Sequence, residues 1–189
     1  MNLASPGDKI RVRPGTYNEA VIVDKFVRLH GAAGATIVGQ NDGTGLIGCI
    51  WIKDIDDFAT KSAWIDGFTL QDCTDYGIKI TGSNYQPILD TIQITHNNFV
   101  NAGADGDDAD LDSGRAAIFY RVGSDTDGSG NKVENGGATI SNVFEISHNM
   151  FSVSSTLSAP YGIWTRWGTN FVIDQRGRVR HRVVAGREP

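Results

Sequence analysis

Proline is scarce in this chain, with 5 in 189 residues, and cysteine and methionine are scarcer, with 2 each. Two cysteines, Cys49 and Cys73, cannot build a disulfide framework. In the strand register set out below, Cys49 falls beside Gly77 instead of Cys73. Two buried free thiols are therefore expected, with a bridge as the alternative. No apolar run approaches the roughly 20 residues that cross a bilayer, and the longest, Gly45 to Ile52, is too short. No membrane partner is expected. Met1-Asn2-Leu3-Ala4-Ser5 lacks the charged start and apolar core of a secretory leader. Helical periodicity is almost absent. So are a nucleophile elbow, a glycine-rich phosphate loop and a Cys/His zinc spacing. Basic charge is short as well, and unevenly placed. Five arginines and one glutamate lie from Arg176 onward. Setting them aside leaves 12 basic and 21 acidic residues of the original 17 and 22, or −9 over residues 1–175. An acidic body argues against nucleic acid as a partner.

What the chain does have is glycine, 23 of it, with many β-branched residues. That mixture suits short strands and tight turns. It also has a phrase used twice. Ile94-Thr95-His96-Asn97-Asn98-Phe99 returns as Ile146-Ser147-His148-Asn149-Met150-Phe151, and Ile65-Asp66-Gly67-Phe68-Thr69-Leu70 is a looser copy. Each leads to a further strand: Gly77-Ile78-Lys79-Ile80, Ala117-Ile118-Phe119-Tyr120 and Gly162-Ile163-Trp164-Thr165. A short β unit repeated at irregular spacing is the signature of a solenoid. Three apolar columns follow from the alignment: Ile65, Ile94 and Ile146; Leu70, Phe99 and Phe151; Ile50, Ile78, Ile118 and Ile163. Stacked on parallel strands, like residues lie about 4.8 Å apart. Phe68, Asn97 and Asn149 form a fourth column, at a bend, where an inward amide can satisfy backbone groups that the turn leaves unpaired. Upstream, Lys9 to Arg13, Ala20 to Val23, Phe26 to Leu29 and Ala35 to Val38 read as the opening strands, with Pro14-Gly15 as a turn.

At these residues the chain resembles the pectin-lyase-like, right-handed parallel β-helix proteins. Pro6-Gly7-Asp8-Lys9-Ile10-Arg11-Val12-Arg13-Pro14-Gly15-Thr16-Tyr17-Asn18-Glu19 is similar to their opening coil, and Val27-Arg28-Leu29-His30-Gly31 to the strand and glycine that follow. The resemblance covers about residues 5–174. It implies an all-β, right-handed parallel β-helix of about six to seven coils over residues 1–175. Acidic loop insertions are expected at 101–115 and 122–137. The basic segment 176–189 is then a capping strand, an arm, or sequence unrelated to the domain. The family includes pectinolytic lyases, esterases, epimerases, glycosidases and non-catalytic surface proteins. A polysaccharide partner and an extracellular or cell-surface setting are what the resemblance implies. Members usually carry an amphipathic helix over the first coil. Only Asn2 to Ser5 remains of it here, so apolar core and strand edge are exposed at the coil ends. Self-association through those ends is expected, or a truncated piece of a larger enzyme.

Several sets of residues are candidates for chemistry. Asp105, Asp107, Asp108 and Asp110, with Asp125 and Asp127, supply the oxygen ligands that calcium takes from flexible loops. From Asp125 the spacing starts like a calcium loop and then departs, with Glu134 at position ten and Gly136 at twelve. The alternative is a pair of solvated turns, and no cofactor is required. His96 and His148 either continue a stack or act as ligands or a base. Trp51, Trp64, Tyr120, Tyr161, Trp164 and Trp167 cluster in or near the strands, and Tyr120, Tyr161, Trp164 and Trp167, with Arg166, offer flat faces for sugar rings and a cation for carboxylates. The alternative for them is packing or an interface. The acidic groups Asp54, Asp56 and Asp57, or Asp72 and Asp75, are conceivable acid–base pairs, and Arg115, Arg121 and Arg166 conceivable carboxylate partners. No catalytic motif ties them to a reaction. The expected function is binding, or processing, of a polysaccharide on an exposed face. The alternative is a structural or assembly solenoid.

Overall fold

The computed structural model describes residues 4–84, 87–103, 116–123, 129, 138–152, 162–166, 168–169, 172–174 and 184–185. It is all-β, and among these residues the sole helical element is one 3-10 turn, Ile55–Asp57. Three sheets carry the chain. Sheet A aligns Lys9–Val12, Arg28–Gly31, Ala63–Asp66, Ile88–Thr95 and Ala138–Ser147, and ends with Gly168–Thr169 and Val172–Asp174 beside the last of these. Sheet B aligns Gly15–Asn18, Ala35–Val38, Thr69–Gln71, Asn98–Val100 and Met150–Ser152. Sheet C aligns Val21–Val23, Ile47–Ile52, Tyr76–Gly82, Ala116–Val122, Ile163–Arg166 and Val184–Ala185. The chain visits A, then B, then C, and starts again. Each visit pairs parallel with the one before. The exception is Gln40–Asn41, which folds back antiparallel on Ile47–Gly48.

The expected columns are present. Ile94 pairs with Ile65 and with Ile146. Phe99 pairs with Leu70 and with Phe151, and the two phenyl rings stack at 4.8 Å. Ile78 pairs with Ile50 and Ile118, and Ile118 with Ile163. These side chains form one apolar core running from Val23 to Ile163. Alternation explains it. In Arg28–Gly31 and Ala63–Asp66, Leu29 and Ile65 turn inward while Arg28, His30, Trp64 and Asp66 stay at the outer face. Gly77 shows how tightly core and sheet meet. A Cβ there would lie 2.6 Å from the Phe99 ring and 2.7 Å from the Ala117 carbonyl.

The bend between sheets A and B is held by side chains. Asn97 Oδ1 accepts from the Phe68 N–H at 3.1 Å, and its Nδ2 donates to the Ile65 carbonyl at 3.2 Å. Asn149 repeats the pattern one level on. Its Oδ1 accepts from the Asn97 N–H at 2.9 Å and from Asn97 Nδ2 at 3.1 Å, and its Nδ2 donates to the Ile94 carbonyl at 2.7 Å.

Three readings need correction or refinement. The cysteines are not free thiols. Cys49 and Cys73 are disulfide-bonded, with Cα atoms 5.5 Å apart. The register still sets Cys49 opposite Gly77, as its neighbours Gly48 and Ile50 pair with Tyr76 and Ile78. Gly77 has no side chain to occupy the space, and Cys73 lies just before the strand, within bridging distance. After the bend at Pro14, Gly15–Asn18 is a strand that the sequence reading did not include, paired with Ala35–Val38. Tyr120 is not a surface aromatic. It is fully buried, edge-on to Phe144 at 5.5 Å. It follows outward Phe119 and therefore points inward. Of the basic tail, Val184–Ala185 pairs parallel with Trp164–Thr165.

Candidate functional site

The outer face of sheet A gathers the largest set of polar and aromatic groups. Two outward columns run across its strands. One is Arg28, Trp64, Gln93 and Glu145. The other is His30, Asp66, Thr95 and Ser147. Period two makes them neighbours, because Arg28 and His30 are two residues apart on one strand, as are Trp64 and Asp66. The Arg28 guanidinium lies 4.8 Å from the Trp64 ring centroid and 6.0 Å from that of Phe26. It has no carboxylate partner among the described residues. Beside it a cleft of about 320 Å³ is lined by Phe26, Arg28, Ser62, Trp64, Asp90 and Gln93, among others. Ser62 fixes one wall. Its Oγ donates to Asp90 Oδ2 and accepts from the Thr91 N–H, both at 3.3 Å.

Next to the cleft, His30 Nδ1 and Asp66 Oδ1 are 2.6 Å apart. Farther along, Gln93 Nε2 donates to Glu145 at 3.2 Å, and Ser147 Oγ donates to the same carboxylate at 2.5 Å. These bonds, Ser147 first, hold the Glu145 carboxyl below the ordinary carboxylate range. The face thus offers a stacked cation, two aromatic rings, an imidazole–carboxylate pair and several hydroxyl and amide groups. Such a surface stacks on the apolar side of a ring and binds hydroxyls and carboxylates at its edge.

A second cluster lies on the outer face of sheet C. The Lys79 ammonium sits 4.1 Å from the Trp51 centroid, 4.9 Å from that of Tyr76 and 3.7 Å from Asp42 Oδ2. Burial drives the Lys79 pKa down, against the attraction of Asp42. Burial also raises Asp42. Hydrogen bonds from the Thr44 and Tyr76 side chains and the Thr44 N–H, with the Lys79 charge, outweigh it and hold the carboxyl low. Burial, then the bond to Asp42, pushes the Tyr76 hydroxyl up. Asp42, Tyr76 and Lys79 satisfy one another, and together they fasten the loop after Gln40–Asn41 onto the sheet. The cluster is a clamp.

The remaining sequence candidates are dispersed. Tyr161, Trp167 and Asp105, Asp107, Asp108, Asp110, Asp125 and Asp127 lie outside the described residues, as does Arg115. Trp164 and Arg166 are placed by backbone alone, in register with Phe119 and Arg121. Among the acidic groups, Asp75 accepts from the Ile47 N–H and Asp56 from the Asn84 N–H, while Asp72 bonds Gln71 and Asn101. These carboxylates tie down backbone and neighbours. Among the described residues, no three His, Cys, Asp or Glu side chains gather as a metal site. Sequence reasoning missed Arg28, His30, Asp66 and Gln93. The signal was available, because inward Leu29 and Ile65 force their flanking residues onto one outer face. Comparison with protein-family models, curated proteins and solved structures gave no match.

Proposed function

We propose that this chain is a right-handed parallel β-helix that binds an acidic polysaccharide along the outer face of sheet A. The repeated A–B–C order with parallel pairing at each return supports the helix. One observation carries the function. Arg28 is stacked on Trp64 in the lining of the cleft, with its hydrogen-bond donors uncommitted to any carboxylate among the described residues. A uronate sugar suits this pair, since its carboxylate takes the guanidinium fork while its ring lies on the aromatic groups. The residues that carry the reading bind; no reaction is assigned to them. The test is titration calorimetry with polygalacturonate and with a neutral glucan. Binding of the acidic polymer is expected, weakened about tenfold or more by Arg28→Ala through lost charge-assisted bonds of about 1.5–3 kcal/mol, and weakened also by Trp64→Ala through loss of the ring that supports the guanidinium and stacks on the sugar. Equal affinity of the two variants and the parent sinks the assignment.

A second reading, an assembly solenoid, has its own observation. A cavity of about 430 Å³ opens among the first strands, lined by Ile10, Val12, Val21, Leu29, Ile37 and Phe68. Its apolar lining and the strand edges beside it, unpaired among the described residues, suit end-to-end contact with another copy. Sedimentation velocity distinguishes the two. Association that Ile10→Glu abolishes favours assembly, and a monomer at all concentrations rejects it.

A further inference from the structure

The repeated phrase sets a histidine at the same point twice, and the cleft uses neither. His96 and His148 follow Thr95 and Ser147, which pair in register. Both adopt a left-handed φ of 55°, and Gly67 holds the corresponding position one strand earlier with φ 80°. Histidine is among the few non-glycine residues that enter this region with some frequency. Both side chains are exposed, and their rings stack with centroids 4.9 Å apart and planes 12° apart.

The hydrogen bonds around His148 decide which nitrogen is free. Ser147 has one hydroxyl proton and donates it to Glu145. Its oxygen can then only accept from His148 Nδ1, 3.1 Å away. Neutral His148 therefore carries its proton on Nδ1 and presents a lone pair at Nε2. Gln93, bonded to the same carboxylate, steadies the chain of contacts from behind. A hydroxyl and a carboxylate orienting an imidazole in this way are the outer shell found behind metal-binding histidines. The His96 backbone N–H donates to the Ser147 carbonyl, but its ring has no hydrogen-bond partner among the described residues, so both ring nitrogens are available.

We propose that His96 and His148 form a two-imidazole site for a borderline first-row transition cation such as Zn²⁺, with His148 binding through Nε2. Zn–N bonds of about 2.0–2.1 Å in a tetrahedral arrangement put the two nitrogens about 3.3 Å apart. The ring centroids are 4.9 Å apart, and the rings must turn from their near-parallel stack so that their lone pairs converge on one ion, which rotation about the χ angles of two exposed side chains supplies. Water fills the other positions, so the ion exchanges freely. Calcium is a poor occupant, because it takes oxygen ligands.

The test is calorimetric titration of the full chain with Zn²⁺. Asparagine tolerates the left-handed backbone, so His96→Asn and His148→Asn remove ligands without disturbing the bend. One ion per chain is expected, with affinity reduced about tenfold or more in each variant. Ser147→Ala should weaken binding about tenfold by releasing the orientation of His148, in the range of outer-shell changes, while its melting temperature without zinc changes little. His30→Ala should bind as the parent does. Unchanged affinity in either asparagine variant, or an equal loss in His30→Ala, overturns the site.

Discussion

Replacing Asn97 with alanine tests the bend between sheets A and B directly. Asn97 is 1% exposed. Its loss strips the Phe68 N–H of its acceptor and the Ile65 carbonyl of one donor, and removes one of the two bonds to Asn149 Oδ1. Each buried backbone group left unsatisfied costs about 1–3 kcal/mol. Two such groups give about 4 kcal/mol as a central figure. For a chain of this size that lowers the melting temperature by about 8–16 °C. Asn149→Ala should cost less, about 1–2 kcal/mol, because Asn149 is only half-buried and water entering at its own position can stand in for part of its amide. Asn97→Asp is the sharper control. The carboxylate still accepts from Phe68 but donates nothing to Ile65, and it faces the Asn149 oxygen, so it should be no better than alanine. Thermal melts of the three variants measure all of this. If Asn97→Ala costs under 1 kcal/mol, or Asn149→Ala costs more, the ladder does not hold the bend.

Other outcomes follow from the same structure. The Cys49–Cys73 bridge closes a separation of 24 residues, and its removal as Cys49→Ser/Cys73→Ser should cost about 3 kcal/mol by loop entropy. Unchanged melting under reductant would contradict it. The Asp42 carboxyl is held below its unfolded value of 3.8. Its stabilisation is therefore complete above that pH and fades as pH falls through the folded value. The stability gap between the parent and Asp42→Asn should narrow below about pH 4, and a gap constant from pH 7 to 3 would refute this. Phe99→Ala should cost about 3–5 kcal/mol as a large-to-small change in a filled core. Chemical denaturation measures it, and a loss under 1 kcal/mol would mean that the Phe99–Phe151 stack carries little.

The core was legible because the repeat is a register written in the chain. Once Ile94 and Ile146 are aligned, Phe99 with Phe151 and Asn97 with Asn149 follow, and the strand pairs agree. The site was less legible because the aromatic residues were judged by type and clustering. Tyr120 looked like a sugar platform, yet its place in the alternation sends it into the core. Trp64 was one aromatic among six and Arg28 an ordinary strand residue, and they became a site only when parallel pairing set them side by side. The bridge escaped for a related reason. Register predicts which Cα atoms face each other, whereas Cys73 lies off the strand, where pairing has no say.

The alignment of Thr95 with Ser147 also bears on how such a chain changes length. The repeated phrases lie 52 residues apart. Excising residues 96–147 would join Thr95 to His148 and leave Ile-Thr-His-Asn-Met-Phe, a sentence the chain already knows how to read. Every surviving level would then meet a neighbour shaped like the one it lost. Duplication of the same block would work in the other direction. A shortened chain that still melts in one cooperative step would show that whole periods are the unit of inheritance here, and a molten product would show that they are not.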